Sequence, residues 1–302
     1  MNKKLEATSY IKAVLTIMVL GMLAGCGAFD KDETNPTYLR INSFELTTPS
    51  NNSEGSNAHD IVDAWVYVAG DLIGVFELPA LVPVHASGEK VITIFAGVKQ
   101  NGAANSRIVY PFYTSYIDTL QFEPGSTIEV APKVQYVDAA QFAWIEDFED
   151  RSISLIKSGT NTTEDSILLT EDPALVYNYN PLNKISAYAI LDSGYQKFEN
   201  STIQDFELNR DVAIFLEMNY NIESGTQVGM YAFNAAGDII GQIPVLYLFP
   251  TNGEWKKSYI SLAEDINDAK YANGTFSIFF ESTRSSDTAT RIYIDNLKLV
   301  HF

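Results

Sequence analysis

The chain has one cysteine in 302 residues, Cys26. That excludes an internal disulfide framework and any zinc site built on paired thiolates. It has three histidines, His59, His85 and His301, far apart and with no second ligand at a metal spacing. Basic residues are few, 20 Lys and Arg against 38 Asp and Glu, for a net charge of −18 with no basic cluster. Nucleic acid is excluded as a partner, because affinity for phosphates comes from clustered cations that release counterions. No Gly-x-Ser-x-Gly elbow, His-Glu-x-x-His pair or phosphate loop occurs. A paired-carboxylate glycosidase is left open, since such pairs are defined by distance in space. The expectation is nevertheless a non-catalytic protein.

What is present begins at the N-terminus. Lys3, Lys4 and Lys12 flank an apolar run from Ala13 to Leu23, and small residues lead to Cys26. This is the n-region, h-region and cleavage layout of an export signal, and the run is too short to span a bilayer as a permanent helix. Residues 1–25 carry three lysines and Glu6, so removing their net +2 from −18 leaves −20 on the chain that starts at Cys26. The 277 residues then remaining (302 less 25) suffice for two cores. Their excess negative charge favours solubility and gives some capacity for calcium.

Leu23-Ala24-Gly25-Cys26 resembles the bacterial lipobox. The resemblance implies cleavage before Cys26, diacylglycerol on its sulfur and a further acyl chain such as palmitate on its amine; several chains make the anchoring permanent. Lys31, Asp32 and Glu33 just beyond resemble the export tag that sends lipoproteins of Bacteroidota to the outer face of the outer membrane. The same residues also suit an ordinary polar tether. Asp118-Thr119-Leu120, Asp165-Ser166-Ile167 and Asp287-Thr288-Ala289 resemble the short O-glycosylation motif of such exported proteins.

Strand patterning dominates the rest, and the expected fold is all-β, with two β-sandwich domains after the signal peptide at 1–25 and a lipidated tether at 26–36. The first domain is placed at 37–137. Ala64–Val68 and Leu72–Phe76 read as a hairpin around Ala69-Gly70-Asp71, and Ser126 to Tyr136 as a closing strand. Thr48 to Ala58, rich in Ser, Asn, Gly and Pro, reads as a loop. Residues 63–97 resemble PEGA-type small β-sandwich modules. The second domain is placed at 142–302, with one or two helical turns between Leu262 and Tyr271. Its opening Phe-Glu and closing Ile-Asp-Asn resemble the jelly rolls of carbohydrate-binding modules, whose first and last strands lie side by side.

That resemblance implies a structural calcium where the two strands meet, with Glu146, Asp147, Glu149 and Asp295 as ligands; solvated strand-edge acids are the alternative. Trp65, Trp144 and Trp255 read as core. The surface candidates are two loops, Tyr110, Phe112, Tyr113 and Tyr116 in one and Tyr177 and Tyr179 in the other, because tyrosine among Asn, Ser and Pro gives contact area at low entropic cost. Closure of a sandwich end by the same rings is the competing reading. The function expected is a binding or scaffolding lipoprotein within an outer-membrane β-barrel complex for nutrient uptake or barrel assembly. The alternative is glycan capture by the C-terminal jelly roll.

Overall fold

The computed structural model describes residues 35–159, 167–284 and 287–302. Cys26, Lys31, Asp32, Glu33 and most of Asp165-Ser166-Ile167 lie outside these, as do the signal segment and nearly all of the tether. Among the described residues no helix is long and apolar enough to cross a membrane.

The N-terminal part contains β1 (Thr37–Ile41), β2 (Glu45–Thr47), β3 (Asp63–Val68), β4 (Asp71–Glu77), β5 (Ala80–Val84), β6 (Gly88–Lys99), β7 (Arg107–Val109), β8 (Tyr116–Phe122), β9 (Thr127–Val130) and β10 (Lys133–Gln135). One layer has the order β5-β1-β9, with β10 and β2 as a short parallel pair; the facing sheet runs β4-β3-β6-β7, with β8 also on β6. Alternation decides which side is buried. Ala64, Val66, Ile92 and Ile94 point inward against Leu39, Ile41 and Val82. The expected hairpin is β3–β4, and its turn holds Ala69 and Gly70 at positive φ, the conformation that suits the twist of a two-residue hairpin. The single closing strand expected at 126–136 is instead two. Ala131-Pro132 carries the chain from β9, beside β1, to β10, beside β2, and the carbonyl of Pro132 accepts from the Glu45 N–H. Proline has no N–H to continue one ladder, so the strand changes neighbour there.

The C-terminal part contains β11 (Gln141–Glu146), β12 (Leu155–Lys157), β13 (Leu168–Thr170), β14 (Ser186–Leu191), β15 (Lys197–Thr202), β16 (Ile214–Ile222), β17 (Thr226–Phe233), β18 (Ile239–Leu248), β19 (Lys256–Ser261), β20 (Thr275–Thr283) and β21 (Thr290–His301). One sheet has the order β13-β14-β21-β16-β19, with β11 on β21; the other runs β12-β15-β20-β17-β18. First and last strands are therefore side by side, antiparallel from Gln141 opposite His301 to Glu146 opposite Leu297. Between the sheets lies a core that includes Leu216, Met218, Ile260, Phe280, Ile294 and Leu299. The helical turns are α1 (Ala263–Ile266) and one 3-10 turn at Ala269–Tyr271.

Candidate functional site

The outer face of the β14-β21-β16-β19 sheet organises the molecule, because its two halves meet different neighbours. Phe215, Tyr259 and Val300 at one end are buried in the core of the N-terminal sandwich. Next to them Glu217 on β16 is fully buried. It faces Lys298 across β21 and Tyr259 across β19, forms an ion pair of 2.8 Å with Lys257, and accepts hydrogen bonds of 2.8 Å from the hydroxyls of Tyr110 and Tyr136. Burial alone would push the Glu217 carboxyl up, but Lys257 and Lys298 outweigh it and hold the group below its ordinary range. Lys298 is driven down to about 7, by desolvation first and by Lys257 as well.

This packing corrects the first tyrosine loop. Tyr110, Phe112 and Tyr113 are buried and join Phe215, Tyr136 and Tyr259 in a cluster of edge-to-face rings, so they close the domain boundary and offer no surface to a partner. Sequence composition fits both outcomes; the buried carboxylate that fixes the choice lies 107 residues away from Tyr110. Tyr116 is half-buried on β8, its hydroxyl on Asp118.

The four acids read as calcium ligands are each committed elsewhere. Glu146 accepts from the N–H groups of Phe148 and Ser154 and from the Ser154 hydroxyl. Asp147 accepts from the Asn52 amide at 2.7 Å and the Glu149 N–H; Glu149 accepts from the N–H groups of Lys184 and Ile185. Asp295 accepts from Asn183, Ser186 and the Asn296 N–H, and burial pushes its carboxyl up to about 7. Among the described residues no three acidic, His or Cys side chains converge as a metal-holding group. The acids work as turn and loop ties, so the ion expected from the jelly-roll resemblance has no converged ligand set.

Two of them line a cleft that sequence patterning does not single out. Between the sandwiches a cavity of about 700 Å³ is bounded by the 48–57 loop on one side and by Asp147, Glu149, residues 180–183 and Asn296 on the other. Such a volume is that of a small-ligand site. Its walls are tied across the boundary: Asn52 donates to Asp147, and Asn180 donates to Asn57 at 3.2 Å. The pairing of β16 with β21 slips where Glu217 and Asn219 face Lys298 and Asp295, and Asn296 sits in that bulge at φ 49. There its Nδ2 donates to Asn183 Oδ1, while its own Oδ1 is buried with no partner. The sequence signal for this bulge is the adjacent Asp295-Asn296, which breaks the alternation of β21.

Beside the cleft, aromatic rings continue over the open half of the same sheet face. Tyr179, the more exposed, stands edge-on to His59 and stacks on Tyr177 at 6.0 Å and 10°. Tyr177 packs on Trp255, Trp255 on Tyr293, and Tyr293 on Tyr188. Trp255 is thus half-buried on an outer face, and so is Trp65, whereas Trp144 is core and donates to the Ser154 hydroxyl at 2.8 Å.

A second surface lies on the N-terminal sandwich. Val75, Trp65 and Phe95 stand in one row across β4, β3 and β6, and Leu72, Tyr67, Thr93 and Ile117 in the next. Leu72 is 51% exposed and Ile117 64%. Val75 is exposed as well, and Trp65, Tyr67 and Phe95 are half-buried between them.

No family model and no curated protein matches the chain. Among solved structures it is similar to one concerning the promiscuous specificity of carbohydrate-binding modules of the β-sandwich superfamily, at 10% identity over 79% of this chain and 84% of that one, with a TM-score of 0.39. It is also similar to a family 61 carbohydrate-binding module in complex with β-1,4-galactotriose, at 17% identity over 51% and 92%, TM-score 0.33. A third is a xylan-binding domain from Paenibacillus barcinonensis, at 12% identity over 54% and 96%, TM-score 0.34. These likenesses carry no argument about a ligand.

Proposed function

We propose that the protein is a non-catalytic, glycan-binding lipoprotein of the outer membrane that holds a saccharide in the cleft between its sandwiches. The observation that carries this reading is the cleft wall itself. Asn52, Asn57, Asn180, Asn183 and Asn296 supply amides, Ser50 and Ser56 hydroxyls, and Asp147 and Glu149 carboxylates, while Pro49, Pro181 and Leu182 supply apolar surface. A sugar presents hydroxyls around its rim and C–H groups on its ring faces. Convergent polar groups fix the rim and apolar side chains pack on the faces. Tyr177 and Tyr179 extend the aromatic surface next to the same 180–183 loop. Cys26 holds the molecule to the membrane, and Lys31, Asp32 and Glu33 direct it to the cell surface, where polysaccharide is met. Affinity electrophoresis of the full, detergent-solubilised chain in gels containing xylan, galactan or other neutral polysaccharides tests the reading. Retardation by at least one is expected; uniform mobility contradicts it.

A second role, compatible with the first, rests on the apolar outer face formed by Leu72, Val75, Trp65, Tyr67, Phe95 and Ile117. Contiguous exposed apolar surface marks interaction sites. The tether from Cys26 to Pro36 spans at most about 40 Å when extended, so this domain stays near the bilayer. The occupant we assign to the face is an outer-membrane β-barrel protein beside the anchor. Recovery of such a protein with the wild-type chain, and its loss with Ile117→Lys, tests this role.

A further inference from the structure

We infer that the cleft takes a saccharide without anionic groups, neutral or amino-bearing, and refuses uronic acids and sulfated sugars. The inference rests on the glycan-binding reading above and adds the chemical class of its ligand.

Charge is the first ground. The cleft lining contains two carboxylates, Asp147 and Glu149, and no Lys or Arg. Lys298 is fully buried behind Gly55, where a Cβ would come within 2.9 Å of the lysine Cε. Its ammonium is committed to the protein, donating to the carbonyl of Ser56 and to the Tyr136 hydroxyl. Lys184 gives Glu149 its backbone N–H, and its side chain is not part of the lining. An anionic sugar would therefore meet like charge in a confined site with no cation to offset it.

Hydrogen-bonding capacity is the second ground. Asn52, Asn180, Asn183 and Asn296 each spend one N–H of the side-chain amide on the protein, on Asp147, Asn57, Asp295 and Asn183, and an amide carries two. Both bonds that Glu149 takes from the 184–185 backbone end on Oε1, leaving Oε2 as a charged acceptor. That oxygen is complemented by a hydroxyl, amide N–H or ammonium group, whereas a carboxylate or sulfate brings only acceptors to it.

The test is a glycan microarray probed with the full, detergent-solubilised chain. It carries neutral xylo-, gluco- and galacto-oligosaccharides, chito-oligosaccharides, oligogalacturonates and heparin fragments. Binding is expected on neutral or amino-bearing arms and not on anionic ones. Two variants locate it. Glu149→Gln keeps the Oε1 acceptor but replaces Oε2 with a donor, and Asn296→Gly removes the orphaned amide while tolerating the positive φ. Each should weaken binding about tenfold or more, the scale of one hydrogen bond to a charged or buried group, with thermal midpoints read alongside to show that both fold. Oligogalacturonate or heparin bound as tightly as neutral sugar overturns the inference and leaves the glycan reading standing. Neutral binding untouched in both folded variants moves the site elsewhere and overturns the inference. No binding on any arm overturns both.

Discussion

Glu217 and Lys257 form an ion pair of 2.8 Å with both side chains almost wholly out of water, at the boundary where one sandwich rests on the other. The carboxylate is also held by Tyr110 and Tyr136, which come from the N-terminal part of the chain. Removal of one partner leaves an uncompensated buried charge. Glu217→Ala should therefore cost about 3 to 5 kcal/mol, and Tyr110→Phe, which removes one bond to a charged acceptor, about 1 to 3 kcal/mol. Equilibrium urea unfolding checks both. A loss under about 1 kcal/mol for Glu217→Ala would mean that the network does not hold the boundary.

Asp295 predicts a pH dependence with a definite sign. Burial raises its folded-state carboxyl to about 7 from an ordinary 3.8. A raised folded pKa gives stability that is fully present below about 3.8 and lost as pH rises towards 7. Asp295→Asn removes this contribution. Wild type should thus lose stability relative to the variant between roughly pH 4 and 7, by on the order of 4 kcal/mol at most, and the difference should be flat above pH 7. Unfolding free energies of both proteins across that range decide the matter; a difference that grows in favour of wild type refutes the assignment.

The apolar face of the N-terminal sandwich should tolerate charge when alone. Ile117 is largely exposed, so Ile117→Lys should change stability by no more than about 0.5 kcal/mol. The same change should cut recovery of an outer-membrane protein from solubilised native membranes. Undiminished recovery would remove the face from the proposed partnership.

Cys26→Ala should release the chain from the membrane fraction or block its processing, because the thiol is the proposed acylation point. Fractionation of the variant with the outer membrane, as for wild type, would contradict the lipid anchor.

The fold was legible where the signal is local. The Ala64–Val68 strand of the first hairpin follows from alternating burial, and the strands that include Ile214, Val228, Lys256, Thr275 and Arg291 read as runs rich in β-branched and aromatic residues, buried on both faces. The split of 126–136 was marked by Pro132, whose missing N–H ends one ladder. The site was much less legible. Whether Tyr110 is a surface ring or a buried one depends on Glu217, far away in sequence, and composition is blind to such a partner. Asn296 is a strand residue by pattern, and only the slipped pairing of β21 with β16 turns it to the cleft wall. Loop 48–57 reads as a polar connector, and its facing residues 180–183 are equally ordinary; their meeting is a property of how the two sandwiches seat, which no local pattern encodes.

The most direct measurement is a crystal structure of the full chain grown with the neutral saccharide that retards it most strongly in affinity gels, or with xylo- and galacto-oligosaccharides if none does. The account predicts sugar density in the interdomain cleft, with hydroxyls against Asn296 and Glu149 and a ring face against Pro181 or Leu182. Density elsewhere, for example along Tyr188 and Tyr293, or no bound sugar at all, would contradict it.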